Sequence, residues 1–470
     1  ADNNTAVGRS ALEANTTGTS NTSVGYQALR DNTTASNNTA VGLNSLALNT
    51  TGASNTASGV SSLLVNTTGG GNVAIGVNAL VANTTADNNT AVGVSSLAAN
   101  TTGAQNTASG VRALGGNTTG VDNSAVGYEA MRVNTTGSYN AAFGREALEV
   151  NTTASNNSAI GYRALKANTT GEENTAVGQG ALDANTTADF NTALGKDALG
   201  ATTTGHSNTG IGRYSLLTNT TGDYNVAVGR DALRASTTGN SNTALGFAAL
   251  TANTTGGDNV AVGLNALINN TTASGNTAVG YQAGTSCTTG NIFTAVGYNA
   301  AANFTTGSYT TAIGYEALLR ATTATSNTAI GSRCLEDCTT GGLNTAVGEA
   351  SLYKVTTGTN NCALGQSGTG LTTGTYNIFI GKNSGNNLTT GANCIFMGTN
   401  NLASAVNGAG QIAIGDTVTC VGNDNFTFGA GSLDSNIAFG ATSITAPSDI
   451  RLKEDIQDEE VGLDFINDLR

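Results

Sequence analysis

Hydrophobic residues recur through this chain at a fixed spacing of 17 residues. The phrase Asn-Thr-Ala-Val-Gly places an apolar branched residue at Val7, Val24 and Val41, and a second phrase places leucine at Leu29 and Leu46 with the same step. A third phrase, Asn-Thr-Thr-Gly, follows the leucine, so that one repeat reads NTAVGxxALxxNTTGxx. The chain is therefore a tandem array of one short unit.

A repeat of this length cannot bury an apolar face alone, so each copy must stack on its neighbours. Alternation in Thr-Ala-Val predicts a short strand, and the Gly and Asn positions predict corners with positive φ. The sequence thus predicts an all-β parallel β-solenoid, or β-roll, of 17-residue coils. We expect Val41, Leu46 and their equivalents at 17-residue steps to fill its interior.

The repeats continue to Gly440, which predicts about 27 rungs and a length of ~130 Å at ~4.8 Å per rung. The step shortens near the end, to 16 between Gly365 and Gly381, 14 between Gly415 and Gly429, and 11 from Gly429 to Gly440. This shortening predicts a taper. A helical array is the alternative, but such repeats need roughly 33 residues and tolerate less glycine.

Composition favours a structural role over a catalytic one. The 470 residues include 63 Gly, one Pro, no Trp and a single histidine, His206, and only 10% are charged. A net charge of −13 argues against a nucleic-acid partner, and no apolar run approaches the ~20 residues of a membrane-spanning helix. The six cysteines lack the spacing of zinc sites, which favours buried free thiols. We expect no cofactor and no bound metal.

The Asn-Thr-Thr phrase is a glycosylation sequon, and two interpretations of it stay open. A ladder of glycans is one. The other is an interior ladder of hydrogen-bonded amides, favoured because Cys287, Phe304, Val355 and Leu388 occupy the same slot in later coils. We expect the structural ladder at Asn15, Asn32, Asn49, Asn66, Asn83, Asn100, Asn117 and Asn134. Glycans remain an alternative at the corner sequons of Asn3, Asn37, Asn88 and Asn156.

Residues that we expect to face solvent form two candidate functional surfaces. The residue after the Ala-Val-Gly glycine is often aromatic, and exposed aromatics on a rigid scaffold suit surface recognition. The alternative is a solvent-facing position under weak constraint. Paired threonines suggest an ice-binding face, although neighbouring strand residues point to opposite sides and leave one outward column. The candidate recognition residues are Tyr26, Tyr128, Tyr162, Tyr281, Tyr298 and Tyr315.

The composition changes abruptly after Gly440, with the single proline, Pro447, at the junction. We expect a repeat shaft over 1–440, a linker over 441–447 and the start of a second domain over 448–470. That last segment opens with the charged phrase SDIRLKEDI and continues through GLDFI.

These two phrases resemble the start of the intramolecular chaperone domain, also called peptidase S74, of phage tail spikes, tail fibres and endosialidases. The resemblance covers the last 23 residues. It implies that three chains assemble, that the domain helps to fold the upstream fibre, and that it then cuts itself away. Ser448 would be the nucleophile and Lys453 its base. The shaft is loosely similar to the β-roll heads of trimeric adhesins.

The expectation is therefore a structural fibre, extracellular and part of a virion, with a trimer as the assembly and a receptor or glycan on the host surface as a partner. The shaft is not expected to be an enzyme. Autoproteolysis is expected of a complete C-terminal domain alone. A bacterial surface adhesin or extracellular fibril, with or without glycans, is the alternative, and an ice-binding solenoid is a weaker one.

Overall fold

The computed structural model describes residues 2–443. Contacts divide the chain into two compact units, Ala1–Val296 and Gly297–Arg470, which are described one after the other. Both consist of short strands joined by turns, and within the described residues the one helical element is the 3-10 turn Gly431–Leu433. The predicted fold class, an all-β parallel β-solenoid of 17-residue coils, is confirmed.

The first unit contains one three-residue strand per coil, and each strand pairs in parallel with its counterpart in the next coil. The register advances by 17, so that Thr22 lies opposite Thr39 and Val24 opposite Val41. The strands are β1 Thr5–Val7, β2 Thr22–Val24, β3 Thr39–Val41, β4 Thr56–Ser58, β5 Val73–Ile75, β6 Thr90–Val92, β7 Thr107–Ser109, β8 Ser124–Val126, β9 Ala141–Phe143, β10 Ser158–Ile160, β11 Thr175–Val177, β12 Thr192–Leu194, β13 Thr209–Ile211, β14 Val226–Val228, β15 Thr243–Leu245, β16 Val260–Val262, β17 Thr277–Val279 and β18 Thr294–Val296.

Alanine, rather than valine, fills the interior beside the leucine. Ala40 and Leu46 are fully buried, whereas Val41 is 40% exposed. The prediction was right for the leucine column and wrong for the valine column. Adjacent strand residues face opposite sides, so a buried alanine puts the flanking Thr39 and Val41 outside.

The interior selects the smaller side chain because the leucine already occupies it. Gly210 replaces the strand alanine in β13, and a Cβ added there would lie 3.2 Å from Leu199 Cγ and 3.0 Å from Ser215 Oγ. The methyl group of an alanine in this column is therefore already in contact with the side chains across the interior. A valine at this position would overpack the coil.

The turns after each strand use backbone conformations that are uncommon for L-residues. The strand-ending Gly42 has φ of 134°, and a Cβ there would come within 2.5 Å of the Gly59 carbonyl oxygen. Four residues later Leu46 adopts φ of 53°. Such a conformation costs roughly 1–2 kcal/mol per L-residue. Complete burial of the leucine, worth about 1.5–3 kcal/mol, offsets it.

The second unit repeats this plan and then departs from it. The register step is 17 between β20 and β21, 16 between β22 and β23, and 14 between β25 and β26. The strands are β19 Thr311–Ile313, β20 Thr328–Ile330, β21 Thr345–Val347, β22 Cys362–Leu364, β23 Ile378–Ile380, β24 Ile395–Thr399, β25 Gln411–Asp416, β26 Asn425–Ala430 and β27 Ser435–Ala438.

The last strand folds back on the stack. β27 pairs with β26 in the antiparallel sense, with Ile437 opposite Phe426. The 11-residue step from Gly429 to Gly440, which the sequence analysis counted as a rung, is therefore a return segment. It covers the edge that β26 would otherwise leave unpaired. The shaft expected over 1–440 holds this return segment at its end, and the predicted linker is described only as far as residue 443.

Candidate functional site

The Asn-Thr-Thr asparagines form a ladder inside the first unit. Asn32 and Asn49 are fully buried, and Asn15 in the first coil is partly exposed. Asn49 Nδ2 donates to Asn32 Oδ1 at 3.0 Å and to the Gly52 carbonyl oxygen at 2.9 Å. The same bonds recur at Asn66, Asn83, Asn100, Asn117 and Asn134. Each buried amide therefore finds its partners within the stack.

A second asparagine ladder runs beside the first, and sequence reasoning missed it. Its members precede the strands: Asn38, for example, is fully buried. Asn38 Oδ1 accepts the backbone N–H of Asn55 at 2.9 Å, and Asn38 Nδ2 donates to the Gly52 carbonyl oxygen at 3.0 Å. The signal was the asparagine that begins most Asn-Thr-Ala-Val-Gly phrases. We had assigned it to a corner because asparagine also favours turns.

The first ladder breaks where shorter side chains enter its slot. Thr202 and Ser236 replace asparagine there, and both are fully buried. Neither hydroxyl makes a hydrogen bond with the protein, and Asn185 Oδ1 and Asn219 Oδ1 also make none. Unpaired buried polar atoms cost free energy, so these two steps are weak points of the interior.

Apolar residues and thiols take over the slot later in the chain. Cys287 in the first unit is fully buried, as are Phe304, Cys338 and Leu388 in the second. Burial raises the pKa of the Cys287 and Cys338 thiols to about 12. All six cysteines are free, and Cys362 alone is exposed. Buried neutral thiols of this kind are unreactive packing groups.

Burial separates the two kinds of sequon. The ladder asparagines from Asn32 onward are inaccessible, because Asn32, Asn49 and Asn66 have no exposed surface. The four corner sequons point outward: Asn3, Asn37, Asn88 and Asn156 are exposed. Their φ angles of 60–63° place them in the left-handed region that asparagine tolerates. The corners are thus the places where a modification fits sterically.

The predicted recognition tyrosines all lie on the surface. In the first unit Tyr26, Tyr162 and Tyr281 are each 42% exposed and Tyr128 is 46% exposed, and Arg145 lies over the rings of Tyr128 and Tyr162 at 5.5 and 5.9 Å. In the second unit Tyr298 and Tyr315 stack with ring centroids 5.5 Å apart. They belong to one column on each unit and do not surround a pocket.

That column runs beside the exposed valines and forms with them a carboxylate-free band, in which apolar side chains alternate with threonines and with five Arg or Lys residues. The band consists of the first and third strand residues and the residue two positions after the strand, in every coil of the first unit. Ile75, Val77, Val92 and Val94 are 37–47% exposed. None of these positions carries a carboxylate, although the chain has 31 acidic residues. The acidic groups lie on other parts of the coil.

The threonine pairs present one outward column, as expected. Thr33 Oγ1 donates to the Thr50 carbonyl oxygen at 3.1 Å, which ties this hydroxyl into the stack. The second threonine of the pair, Thr34, is exposed. A flat surface that matches the ice lattice favours paired columns of threonine, whereas the Thr-Thr pairs of this chain supply one outward column.

Gly115 and Gly116 lack side chains and open a shallow cleft of about 300 Å³ beside Arg112 and Arg132. Both guanidiniums contact Glu129, at 3.2 and 3.7 Å, so the cleft carries little unpaired positive charge. Within residues 2–443 no three His, Cys, Asp or Glu side chains gather into a metal site.

Two sequence predictions lie outside this region. Ser448 and Lys453, proposed as nucleophile and base, fall beyond the described residues. Among residues 2–443, no helix has the length and apolarity that crossing a membrane would require.

No family model matches this chain, and neither a curated protein nor a solved structure is detectably similar to it.

Proposed function

We propose that this protein is the shaft of an extracellular fibre, the tail fibre or spike of a virus, which serves in host attachment and is folded by a C-terminal self-cleaving chaperone. The repeat architecture supports the proposal because stacked coils build an extended scaffold with nearest-neighbour contacts. The phrase beginning at Ser448 supports the viral assignment through its resemblance to the chaperone domain. The role in host attachment follows from the same resemblance.

The observation that carries the fibre assignment is the carboxylate-free band of the first unit. The band covers 18 strands, which are seventeen steps of ~4.8 Å, and with a width of roughly 10 Å its total area is about 800 Å². This area is close to that which one partner buries in a stable protein interface. The exposed apolar side chains within the band favour an interaction site there.

We assign the band to contact with further copies of the same chain, three in all. A chain with net charge −13 repels its own copies unless they meet where carboxylates are missing. The band is such a place. The trimer itself follows from the chaperone resemblance, since that family assembles three chains.

Substituting a residue in the band tests the assembly. Val94 is 47% exposed, and Val94→Asp would put a charge into the contact. We expect light scattering to give three times the chain mass of 46.6 kDa for the unsubstituted protein, and smaller species for Val94→Asp. Asn88→Asp is the matched control, because it adds the same charge at an exposed corner. A single-chain mass for the unsubstituted protein, or equal masses for both variants, would reject the assignment.

The chaperone part of the proposal has its own test. Ser448→Ala and Lys453→Ala each remove one half of the nucleophile and base pair, so both should abolish a cut beside Ser448. A processed product of unchanged mobility in both variants on a denaturing gel would reject self-cleavage.

A further inference from the structure

A corner of each coil holds one residue in the left-handed conformation, immediately before the second asparagine ladder. Its φ lies between 55° and 71° throughout the first unit. The first eight coils use residues that suit such a corner or are at least small or polar, namely Asn3, Ser20, Asn37, Ser54, Gly71, Asn88, Gln105 and Asp122. Later coils place Tyr139, Phe190 and Tyr224 in the same conformation.

The bulky residues are largely exposed, so burial offsets little of the cost of this conformation. The leucine column also lies in the left-handed region, but Leu46 and its equivalents are fully buried. Phe190 is 56% exposed and Tyr224 is 66% exposed. They bear a cost of roughly 1–2 kcal/mol with little burial in return. Strain that persists without a structural gain is grounds for a functional hypothesis.

Phe190 and Tyr224 stand two coils apart with a small residue between them. Two coils correspond to ~9.6 Å along the stack. Ser207, a small residue, occupies the intervening corner. One saturated ring in van der Waals contact with an aromatic group on each side spans about 7–8 Å in all. The coil spacing of ~9.6 Å therefore has room for one ring of that kind.

Polar groups line the same corner. Asp189, His206 and Asp223 form the neighbouring column, and the backbone N–H groups of Asp189 and His206 donate to His206 Nδ1 at 3.0 Å and Asp223 Oδ1 at 2.7 Å. The side chains of Asp189 and His206 remain 33% and 44% exposed. Carboxylate oxygens held in fixed positions accept hydrogen bonds from hydroxyl groups, whereas the His206 ring, whose Nδ1 already accepts the Asp189 N–H, can donate to a hydroxyl oxygen through Nε2.

We infer that the corner formed by Phe190, Ser207 and Tyr224 binds a neutral pyranose unit of an oligosaccharide. Aromatic side chains supply apolar faces for the C–H groups of the sugar, and the adjacent column accepts bonds from its hydroxyls. The nearby Glu172 and Glu173 are exposed, so anionic sugars are disfavoured by repulsion. The biological meaning of this site rests on the attachment function proposed above.

Isothermal titration calorimetry of the purified protein tests the site, with cellotetraose and the tetrasaccharide of N-acetylglucosamine as neutral probes and tetragalacturonate as the anionic comparison. Phe190→Asn and Tyr224→Asn should each weaken binding of a neutral probe about tenfold. Both variants should also slow native-state hydrogen exchange in their own coil, because asparagine tolerates the left-handed corner. Tyr139→Asn is the matched control, since Tyr139 is equally strained and 61% exposed, and its nearest bulky neighbour in the column is three coils away.

Failure of both neutral probes to bind would overturn the inference, as would tighter binding of tetragalacturonate or unchanged affinity in the Phe190 and Tyr224 variants. A loss of assembly mass in Phe190→Asn would make the corner a contact between chains and also overturn it. The fibre proposal fails by a different measurement, the mass response of Val94→Asp, so the two failures are distinguishable.

Discussion

Restoring asparagine at a break in the first ladder should stabilise the solenoid. Thr202 is fully buried and its hydroxyl makes no hydrogen bond with the protein, while Asn185 Oδ1 in the preceding coil is also unpaired. Threonine and asparagine have similar volumes, so Thr202→Asn introduces an amide without overpacking the site.

The unbroken steps of the first ladder show which hydrogen bonds Thr202→Asn would form. Asn168 Nδ2 donates to Asn151 Oδ1 and to the Gly171 carbonyl oxygen, both at 2.9 Å. By the same geometry the new amide would donate to Asn185 Oδ1 and the Gly205 carbonyl oxygen, and would accept from Asn219 Nδ2. Three bonds at about 0.5–1.5 kcal/mol each, less roughly 1 kcal/mol for ordering the side chain, give a gain of about 0.5–3.5 kcal/mol.

Native-state hydrogen exchange is the suitable assay, because a solenoid opens in segments and a single melting temperature averages over them. The Thr203 amide bonds to the Thr220 carbonyl oxygen at 3.0 Å and reports on this step. We expect its exchange to slow about 2- to 400-fold in Thr202→Asn. Asn151→Thr is the control and should accelerate exchange around residue 151. Unchanged or faster exchange in both Thr202→Asn and Ser236→Asn would refute a stabilising role for the ladder.

Three further outcomes follow from the geometry. Gly42→Ala should destabilise its coil by at least about 2 kcal/mol, measured by urea unfolding, since its Cβ would lie 2.5 Å from a carbonyl oxygen in a left-handed region; a neutral change would contradict the turn geometry. Cys362 alone should react with a thiol reagent at pH 8 in the native state. Because the folded pKa of Cys287, about 12, lies above its ordinary value of 9.0, its contribution to stability is complete below pH 9 and declines as pH rises toward 12; a rise in stability over that window would contradict it. When the protein is expressed in a secretory pathway, we expect sugar at Asn88 and none at Asn49. A glycan found on Asn49 by glycopeptide mapping would mean that this side chain faces solvent and would contradict its assignment to the interior.

The register and the leucine interior followed directly from the sequence because both depend on spacing alone. The equivalents of Leu46 recur at 17-residue steps, and stacked coils of that length bring them together in one column. The valine column was misassigned because a strand of three residues provides no second cycle of alternation. The signal that distinguishes the two columns is how much each varies. The column of Val41 also holds Ser58, Ile75 and Phe143, as an exposed position can, whereas the preceding position is nearly always alanine. In a narrow, close-packed interior the size of a side chain is restricted more strictly than its polarity.

The strained corner column could not be found from the sequence, because the conformation of an aromatic residue is set by its neighbours in the coil. Tyr139 follows Gly137 and Ser138, a context that predicts a turn without indicating which residue takes positive φ. The structure assigns this φ to the tyrosine. What separates Tyr139 from the leucine column is burial, and burial depends on the complete coil.

The two asparagine ladders differ in how freely the chain replaces them, and hydrogen bonding explains the difference. Both donate to the same carbonyl, as Asn21 and Asn32 do to Ala35 at 2.9 and 3.0 Å. When the first ladder turns apolar in the second unit, at Val355 for example, the carbonyl of Gly358 still accepts from Asn344 at 2.9 Å.

The second ladder has an additional task that an apolar residue cannot perform. Its Oδ1 accepts a backbone N–H of the next coil, as Asn344 Oδ1 does from Asn361 at 3.0 Å. Buried N–H groups are rarely left without a partner. The second ladder is interrupted at Phe293, Thr310 and Cys394. It nevertheless keeps asparagine at Asn327, Asn344, Asn361 and Asn377, while the first ladder becomes Ala321, Cys338, Val355, Leu371 and Leu388. Selection for backbone satisfaction, rather than for a polar interior as such, accounts for which asparagines the chain keeps.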